Sequence, residues 1–426
     1  MASAVTLTAE DFGTLTDGMG RSVSVQKFTW QTVAGLKLSV LNLDAAIIEL
    51  CAPDRTWKNS ANVLLGVNNL DEYLQLDSTL ICAAQFEKGW PILTSYGIRK
   101  DAPTGRTVDL NRVWHSFVDE TRLHLSLVRK STAKHRNTYA TVTISVEPSN
   151  VVRIQYQTCC TNGEVFRLAH RFLFNLGGSE SGAQGTFEHV VQLNADSYVD
   201  ENRNLRTAAE NFTDLRIAQH LGLSLYKARN EGLDDVDGIK GIYGLNNTAE
   251  DGFALRLIHT GSGRAMELYC NFPWMHFSTL DHLPPGKDAI VPFYPREGIQ
   301  RVSLIFDLKQ LILAIVSGTE ETASDEEHDE LSLVESADDV NLNQDQEAST
   351  YTGKYIKNDG FLIHPLACPF RPVENQKVNS DLPDAQPAIT PCRGQTPVPF
   401  IGHVTLKFGI CKALSQEDAQ SPSISN

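Results

Sequence analysis

The sequence predicts an all-β protein built as a large antiparallel assembly, and three observations carry that prediction. Apolar residues recur at every second position, the alternating runs are joined by short Gly, Asn and Pro turns, and long amphipathic helical stretches are scarce. The first run takes in Val23, Val25 and the Phe28/Trp30 pair; the second holds Leu36, Leu38 and Val40, with Leu41 and Leu43 following. A hairpin is expected from Val142, Ile144 and Val146 through Glu147-Pro148-Ser149-Asn150 to Val152, Ile154 and Tyr156. Another runs through Phe253, Leu255, Leu257 and His259, turns at Gly261-Ser262-Gly263-Arg264, and returns by Met266, Leu268 and Cys270. The best helical candidate lies within residues 205–228.

The alternation continues from about residue 12 to about residue 316 with no low-complexity linker, and no internal repeat is visible. Composition then changes. Residues 318–350 are acidic and nearly free of aromatics, so disorder is expected there. Ordered sequence resumes at Tyr351. Residues 365–399 carry eight Pro and read as an extended surface loop, and alternation returns in Val404, Leu406 and Phe408. The expected organisation is a tail over 1–10, one β domain over 11–412 interrupted by the acidic insert, and a polar tail over 413–426.

Charge narrows the function classes. The chain has 37 Lys and Arg against 52 Asp and Glu, a formal charge of −15, which argues against a nucleic-acid or anionic membrane partner. Between Glu320 and Glu347 stand twelve acidic residues and no basic one, so the remainder is nearly neutral. The eight Cys include no C-x-x-C pair and no metal-like spacing with His, and adjacent Cys159 and Cys160 suit opposite faces of a strand. Neither a metal nor a cofactor is expected. The start Met1-Ala2-Ser3-Ala4-Val5 does not read as a signal peptide. The apolar stretch Leu304 to Val316 is interrupted by Asp307, Lys309 and Gln310, so no membrane span is expected. A reduced, cytoplasmic protein is the expectation.

Several motifs occur in a recognisable order. Asp11–Leu15 and Asn62–Gly66 with Tyr73 come first, then Phe174–Gly178 and Asn194–Tyr198 at the centre. Phe212–Arg216, Ser262–Tyr269, Asn358–Phe361, Val373–Gln376 and His403–Phe408 follow. In this series the chain resembles the aldose 1-epimerase (galactose mutarotase) family across about residues 11–408, the acidic insert excepted. The resemblance implies a β-supersandwich of the galactose mutarotase type with a carbohydrate cleft. It also implies a cofactor-free reaction, the interconversion of α and β anomers of an aldose such as galactose or glucose. In that chemistry a base takes the anomeric hydroxyl proton while an acid protonates the ring oxygen. The family uses a Glu base and a His acid, with a second His, an Asp and an Asn-Arg pair gripping hydroxyls.

Each of those polar positions is changed here. His364 follows Gly360-Phe361-Leu362-Ile363 where the family has its Glu. Arg171 stands where the resemblance places the acid, with His170 one residue early. A one-residue shift in a strand turns a side chain to the other face, so His170 is expected to point away from the cleft unless a bulge exchanges the two. Ala84-Gln85 replace the Asn-Arg pair before Lys88-Gly89, Ala102–Gly105 hold no His, and Tyr243 replaces the Asp.

The catalytic candidates are therefore His364 and His170, and the cleft candidates are Arg171, Gln85, Tyr243, Trp274 and His276. His364 has the residue type of a base working near pH 6.5, whereas Arg171 orients groups but cannot donate a proton. Trp274 and His276 offer contact to a sugar, weighed against a place in the core. Asn175 is expected to fix a turn through side-chain to backbone bonds. Three functions follow. The first is a catalytically impaired aldose 1-epimerase-like protein binding a monosaccharide or related carbohydrate. The second is an active epimerase with a rearranged His/Arg site. The third is an interaction scaffold whose acidic loop meets a basic protein partner, with Ser324 and Ser336 beside acidic residues as phosphorylation candidates.

Overall fold

The computed structural model describes residues 4–76, 80–86, 109–131, 136–161, 167–199, 205–211, 214–231, 233, 237–246, 251–283, 355–367 and 399–411. The chain divides into two units. All described residues fall in the first, Met1–Phe293 with Lys354–Cys411, and the second, Tyr294–Gly353 with Lys412–Asn426, lies outside them. Also outside are the acidic insert with Ser324 and Ser336, the segment 368–398 with Cys368 and Cys392, and the tail from residue 413.

Among the described residues the fold is antiparallel β, as the alternation predicts. A five-stranded sheet runs in chain order: β1 (Val5–Thr16), β2 (Ser22–Thr32), β3 (Lys37–Leu41), β4 (Ile47–Pro53) and β5 (Ser60–Asn62). A two-stranded sheet pairs β6 (Ala84–Phe86) with β11 (Leu168–His170). The nine-stranded sheet contains β7 (His115–Asp119), β8 (Arg122–Ser131), β9 (Arg136–Glu147), β10 (Val151–Cys160), β13 (His189–Leu193), β16 (Gln219–His220), β18 (Gly252–His259), β19 (Arg264–Cys270) and β22 (Phe400–Ile410). Its spatial order is β16-β13-β18-β19-β22-β10-β9-β8-β7. The six-stranded sheet contains β12 (Phe172–Phe174), β14 (Ala195–Val199), β15 (Leu205–Thr207), β17 (Lys240–Leu245), β20 (Trp274–Ser278) and β21 (Phe361–Leu366), in the order β12-β21-β20-β17-β14-β15. Helices are short: α1 (Leu70–Gln75), α2 (Gly182–Phe187) and α3 (Leu221–Asn230). The helical candidate over 205–228 thus reduces to its last part, because residues 205–207 are strand. The Pro-rich reading from residue 365 likewise begins too early, since Pro365 and Leu366 complete β21.

Both hairpins form. β9 and β10 meet at Asn150, whose φ of +62° suits a residue that tolerates the left-handed region. In the other, the register shifts between Phe253 and Leu255, so Phe253 opposes Tyr269 in an edge-to-face ring pair 5.8 Å apart. The bulge breaks the simple alternation expected there: Ala254 and Leu255 are both buried, and Phe253 is not. Cys159 and Cys160 do alternate, with only Cys160 buried.

The main core gathers inward residues of the nine- and six-stranded sheets, among them Tyr156, Leu268, Leu406, Phe172, Phe277 and Phe361. A second cluster joins Leu41, Leu65 and Tyr73 to Leu173, Leu362 and Leu280. The six-stranded sheet is therefore buried on both faces near β12 and β21, which explains an unbroken buried run over all of β21. Phe361 and Ile363 serve one cluster and Leu362 the other, so the period of two assigns His364 to the face of Leu362.

Candidate functional site

The register of the six-stranded sheet builds the site. His276 opposes His364, Ile242 opposes His276, and Phe172 opposes Ile363, which brings Arg171 to the row of His364. The row reads Arg171, His364, His276, Ile242 across four strand positions. Flanking it on the same face, Trp274 opposes Leu366 on one side, and Ser278 opposes Leu362 on the other. His364, His276 and Arg171 are buried, at 5%, 2% and 7% exposure.

Burial in this row sets the protonation states. Desolvation first, then the Arg171 guanidinium and then His276, hold the His364 imidazole well below the usual histidine range. His276 is pushed down to about 3 by burial, with Arg171 and His282 adding to the shift. His282 is lowered by burial too, while Asp281 pulls it the other way. Near neutral pH the row thus presents neutral imidazoles beside a fixed cation. Both His364 ring nitrogens are buried and make no hydrogen bond among the described residues. A neutral imidazole offers one N–H and one lone pair, a match for a hydroxyl group that both accepts and donates.

The arrangement suits recognition better than proton transfer. A base whose conjugate acid lies well below pH 6.5 has little drive to take a hydroxyl proton, and Arg171 cannot supply one.

The remaining candidates lie elsewhere. His170 is fully buried on the core side: its Nε2–H donates to the Ala45 carbonyl at 2.7 Å, and its Nδ1 accepts from the Tyr156 hydroxyl at 2.8 Å. Both nitrogens are committed, burial lowers its pKa to about 4, and it does not join the His364 row. No bulge exchanges His170 and Arg171. Tyr243 also belongs to the main core, opposite Met275, and its hydroxyl accepts from Asn211 Nδ2 at 3.2 Å. The alternation that gives Ile242 to the row denies it to Tyr243. Gln85 is half-buried opposite Ala169 in the two-stranded sheet, while the Arg171 amide donates to Ala83 O at 3.3 Å. Trp274 is half-buried and packs on Val199, Ile242 and Leu366 at the margin of the row.

His282 was not a sequence candidate. It follows a turn in which Leu280 takes a φ of +60° and the Ser278 hydroxyl donates to Asp281 Oδ1 at 3.2 Å. A turn has no periodicity that would have placed His282 beside Arg171. Asn175 fulfils its expected structural role. Its Nδ2 donates to the carbonyls of Asp359 at 2.8 Å and Gly182 at 3.1 Å, and its Oδ1 accepts the Gly177 amide at 3.0 Å. Asn175 thus ties the central loop to the root of β21. A further histidine pair is structural. His189 donates from Nδ1 to Gly185 O at 2.7 Å, and His259 accepts the Ser262 amide at 3.0 Å while facing Glu188 at 3.2 Å. Among the described residues no cluster of His, Cys, Asp or Glu is arranged to hold a metal ion. No helix among them is long and apolar enough to cross a membrane.

Comparison with known proteins follows the same lines. No family model matches the chain. A galactose mutarotase from Sus scrofa is 26% identical over 315 residues, covering 68% of this chain and 87% of the relative. A galactose mutarotase from Pongo abelii is 27% identical over 164 residues, 36% of this chain and 45% of that protein. Among solved structures, a GalM/aldose epimerase homologue from C. elegans matches with a TM-score of 0.53 and 15% identity, covering 89% of this chain and 97% of the other. A galactose 1-epimerase from Lactobacillus acidophilus matches with a TM-score of 0.50 and 14% identity, covering 96% and 100%. These two likenesses show the fold.

Proposed function

We propose that this chain, a homologue of the galactose mutarotases of the aldose 1-epimerase family, binds a monosaccharide or related carbohydrate at the Arg171–His364–His276 row and is catalytically impaired. The observation that carries the reading is the state of His364: buried, neutral, and with neither ring nitrogen hydrogen-bonded among the described residues, which leaves one N–H and one lone pair to match a hydroxyl. Arg171 contributes planar N–H donors to the same end of the row, and Trp274 an aromatic edge at its margin. The impairment follows from proton bookkeeping, because neither neighbour of His364 in the row is a matched acid at neutral pH.

The test is a calorimetric titration of the full chain with D-galactose and D-glucose, beside His364→Ala. Saturable binding that the variant loses supports the reading. Equal heats from both proteins would remove the row from consideration as a sugar site. The alternative of an active epimerase uses the same residues and separates from this reading by rate alone. The scaffold alternative predicts capture of a basic protein that is lost on deleting residues 319–349.

A further inference from the structure

We infer that the turn Asp44-Ala45, between β3 and β4, is a positioning device for the Arg171–His364–His276 row, with Asp44 and His170 as the positioning residues; its bearing on sugar binding rests on the carbohydrate reading of that row. The turn is strained. Asp44 takes a φ of +56° and Ala45 one of +51°, and among the described residues no other two successive non-glycine residues lie in the left-handed region. Asp tolerates that region through its short polar side chain, but Ala has no group with which to do so. Such a conformation persists only where its surroundings over-determine it, and it gathers at sites that need a fixed geometry. Here the Asp44 carboxylate supplies the hold. It accepts the Tyr73 hydroxyl of α1 at 2.8 Å and Arg112 Nε at 3.0 Å, and it forms an ion pair with the rest of the Arg112 guanidinium. The Asp44 amide also donates to Arg112 O at 2.8 Å.

What the turn holds is the backbone around Arg171. Ala45 O accepts His170 Nε2–H at 2.7 Å, one residue before Arg171, and Asp44 O accepts the Ala84 amide at 3.1 Å. Ala83, the residue before Ala84, takes the Arg171 amide on its carbonyl at 3.3 Å. The two carbonyls of one turn thus fix the two chain segments that meet at Arg171. The second ring nitrogen of His170 accepts the Tyr156 hydroxyl at 2.8 Å, so the ring cannot rotate without losing both bonds. Successive residues of an extended chain face opposite ways, and a ring locked toward the core therefore directs the next side chain, Arg171, to the row. The other end of the row has the same character. Leu280, just after β20, and Asn358, just before β21, have φ of +60° and +63°, and the Asn358 amide donates to Leu280 O at 3.3 Å.

The test reads the ring of His364, which makes no hydrogen bond with Asp44, so that a response there has travelled through the turn. In the full chain carrying carbon-13 histidine, the His364 ring signal is assigned by its absence in His364→Ala. Asp44→Ala is expected to shift that signal and to weaken D-galactose binding about tenfold, the loss expected of one misdirected hydrogen bond to a charged group. Asn150→Ala is the control for a merely structural turn. Asn150 is also left-handed and buried, and it accepts the Thr32 hydroxyl at 2.7 Å, but it belongs to the β9–β10 hairpin. Its variant is expected to lose stability and to leave the His364 signal and the affinity as in wild type. Circular dichroism establishes that each variant is folded. Asp44→Asn, which keeps an acceptor for Tyr73 and gives up the charge facing Arg112, decides the matter should Asp44→Ala not fold, and is expected to shift the same signal by less. A His364 signal unmoved in the folded Asp44 variant, a signal moved as far by Asn150→Ala, or a D-galactose affinity equal to that of wild type overturns the proposal. A wild type that binds neither D-galactose nor D-glucose brings down the carbohydrate reading instead, while the ring signals still decide the turn.

Discussion

His276 and His364 stand directly opposite one another on adjacent antiparallel strands, each buried and each kept neutral by that burial with the Arg171 guanidinium adding to the effect. Two opposed imidazoles inside a sheet are a poor way to stabilise a fold. The two His364 ring nitrogens make no hydrogen bond among the described residues, and a buried polar atom without one is costly to the fold.

One consequence is a trade between stability and binding. His364→Leu removes two buried nitrogens that have no hydrogen-bond partner among the described residues. Denaturant unfolding should find the variant more stable by about 1 kcal/mol, with sugar binding lost. A variant that is less stable by more than that would mean that His364 serves the fold itself.

Acid should weaken the fold through its buried histidines. His170 is lowered to about 4 and His189 and His276 to about 3, each chiefly by burial. A folded-state pKa below the unfolded value near 6.5 gives stability that is full above pH 6.5 and is lost as pH falls toward the folded values. Each group should remove about 1.4 kcal/mol per pH unit through that window. Urea titrations at pH 7, 6, 5 and 4 measure the slope, and a flat profile between pH 6 and 4 would contradict it.

Asp359 should act in the opposite sense. Burial raises its carboxyl to about 6, with Glu180 adding to the shift, although Oδ2 accepts the Ile356 amide at 2.7 Å. A raised carboxyl favours the fold below pH 4 and loses that contribution as pH rises through 6. Asp359→Asn should therefore gain roughly 1–3 kcal/mol at pH 7.5 and nothing at pH 4. The same unfolding titrations read the difference.

Asn175→Ala should cost about 2–4 kcal/mol, because it breaks several buried bonds at once and leaves their carbonyl partners exposed to no substitute. Through the lost tie to Asp359, sugar affinity should fall although Asn175 lies outside the row. Thermal unfolding with a sugar titration on the folded variant checks both parts.

Much of the fold was legible because a half-buried antiparallel strand writes its two faces into the sequence. The hairpin ending at Asn150 and the closing strand through Phe408 follow directly from that. Two features escaped for physical reasons. The bulge at Ala254 inserts one residue and reverses the phase, which put Phe253 on the wrong side of a simple alternation. β21 is buried on both faces and so has no pattern to read; its two sides separate only once β20 and β12 are placed beside it. In the site, the resemblance located Arg171, His364 and His276. Strand parity then divided the candidates, keeping those three together and sending His170 and Tyr243 to the core. His282 reaches the group through a turn, where neighbouring residues carry no directional signal.

The most direct test of the central claim is polarimetry of freshly dissolved α-D-galactose with the full chain, beside buffer and His364→Ala. The account predicts mutarotation at the buffer rate with both proteins, since a buried, weakly basic imidazole next to an arginine has no means of exchanging the two protons. Acceleration by wild type that disappears in His364→Ala would contradict it and make the row a working epimerase site.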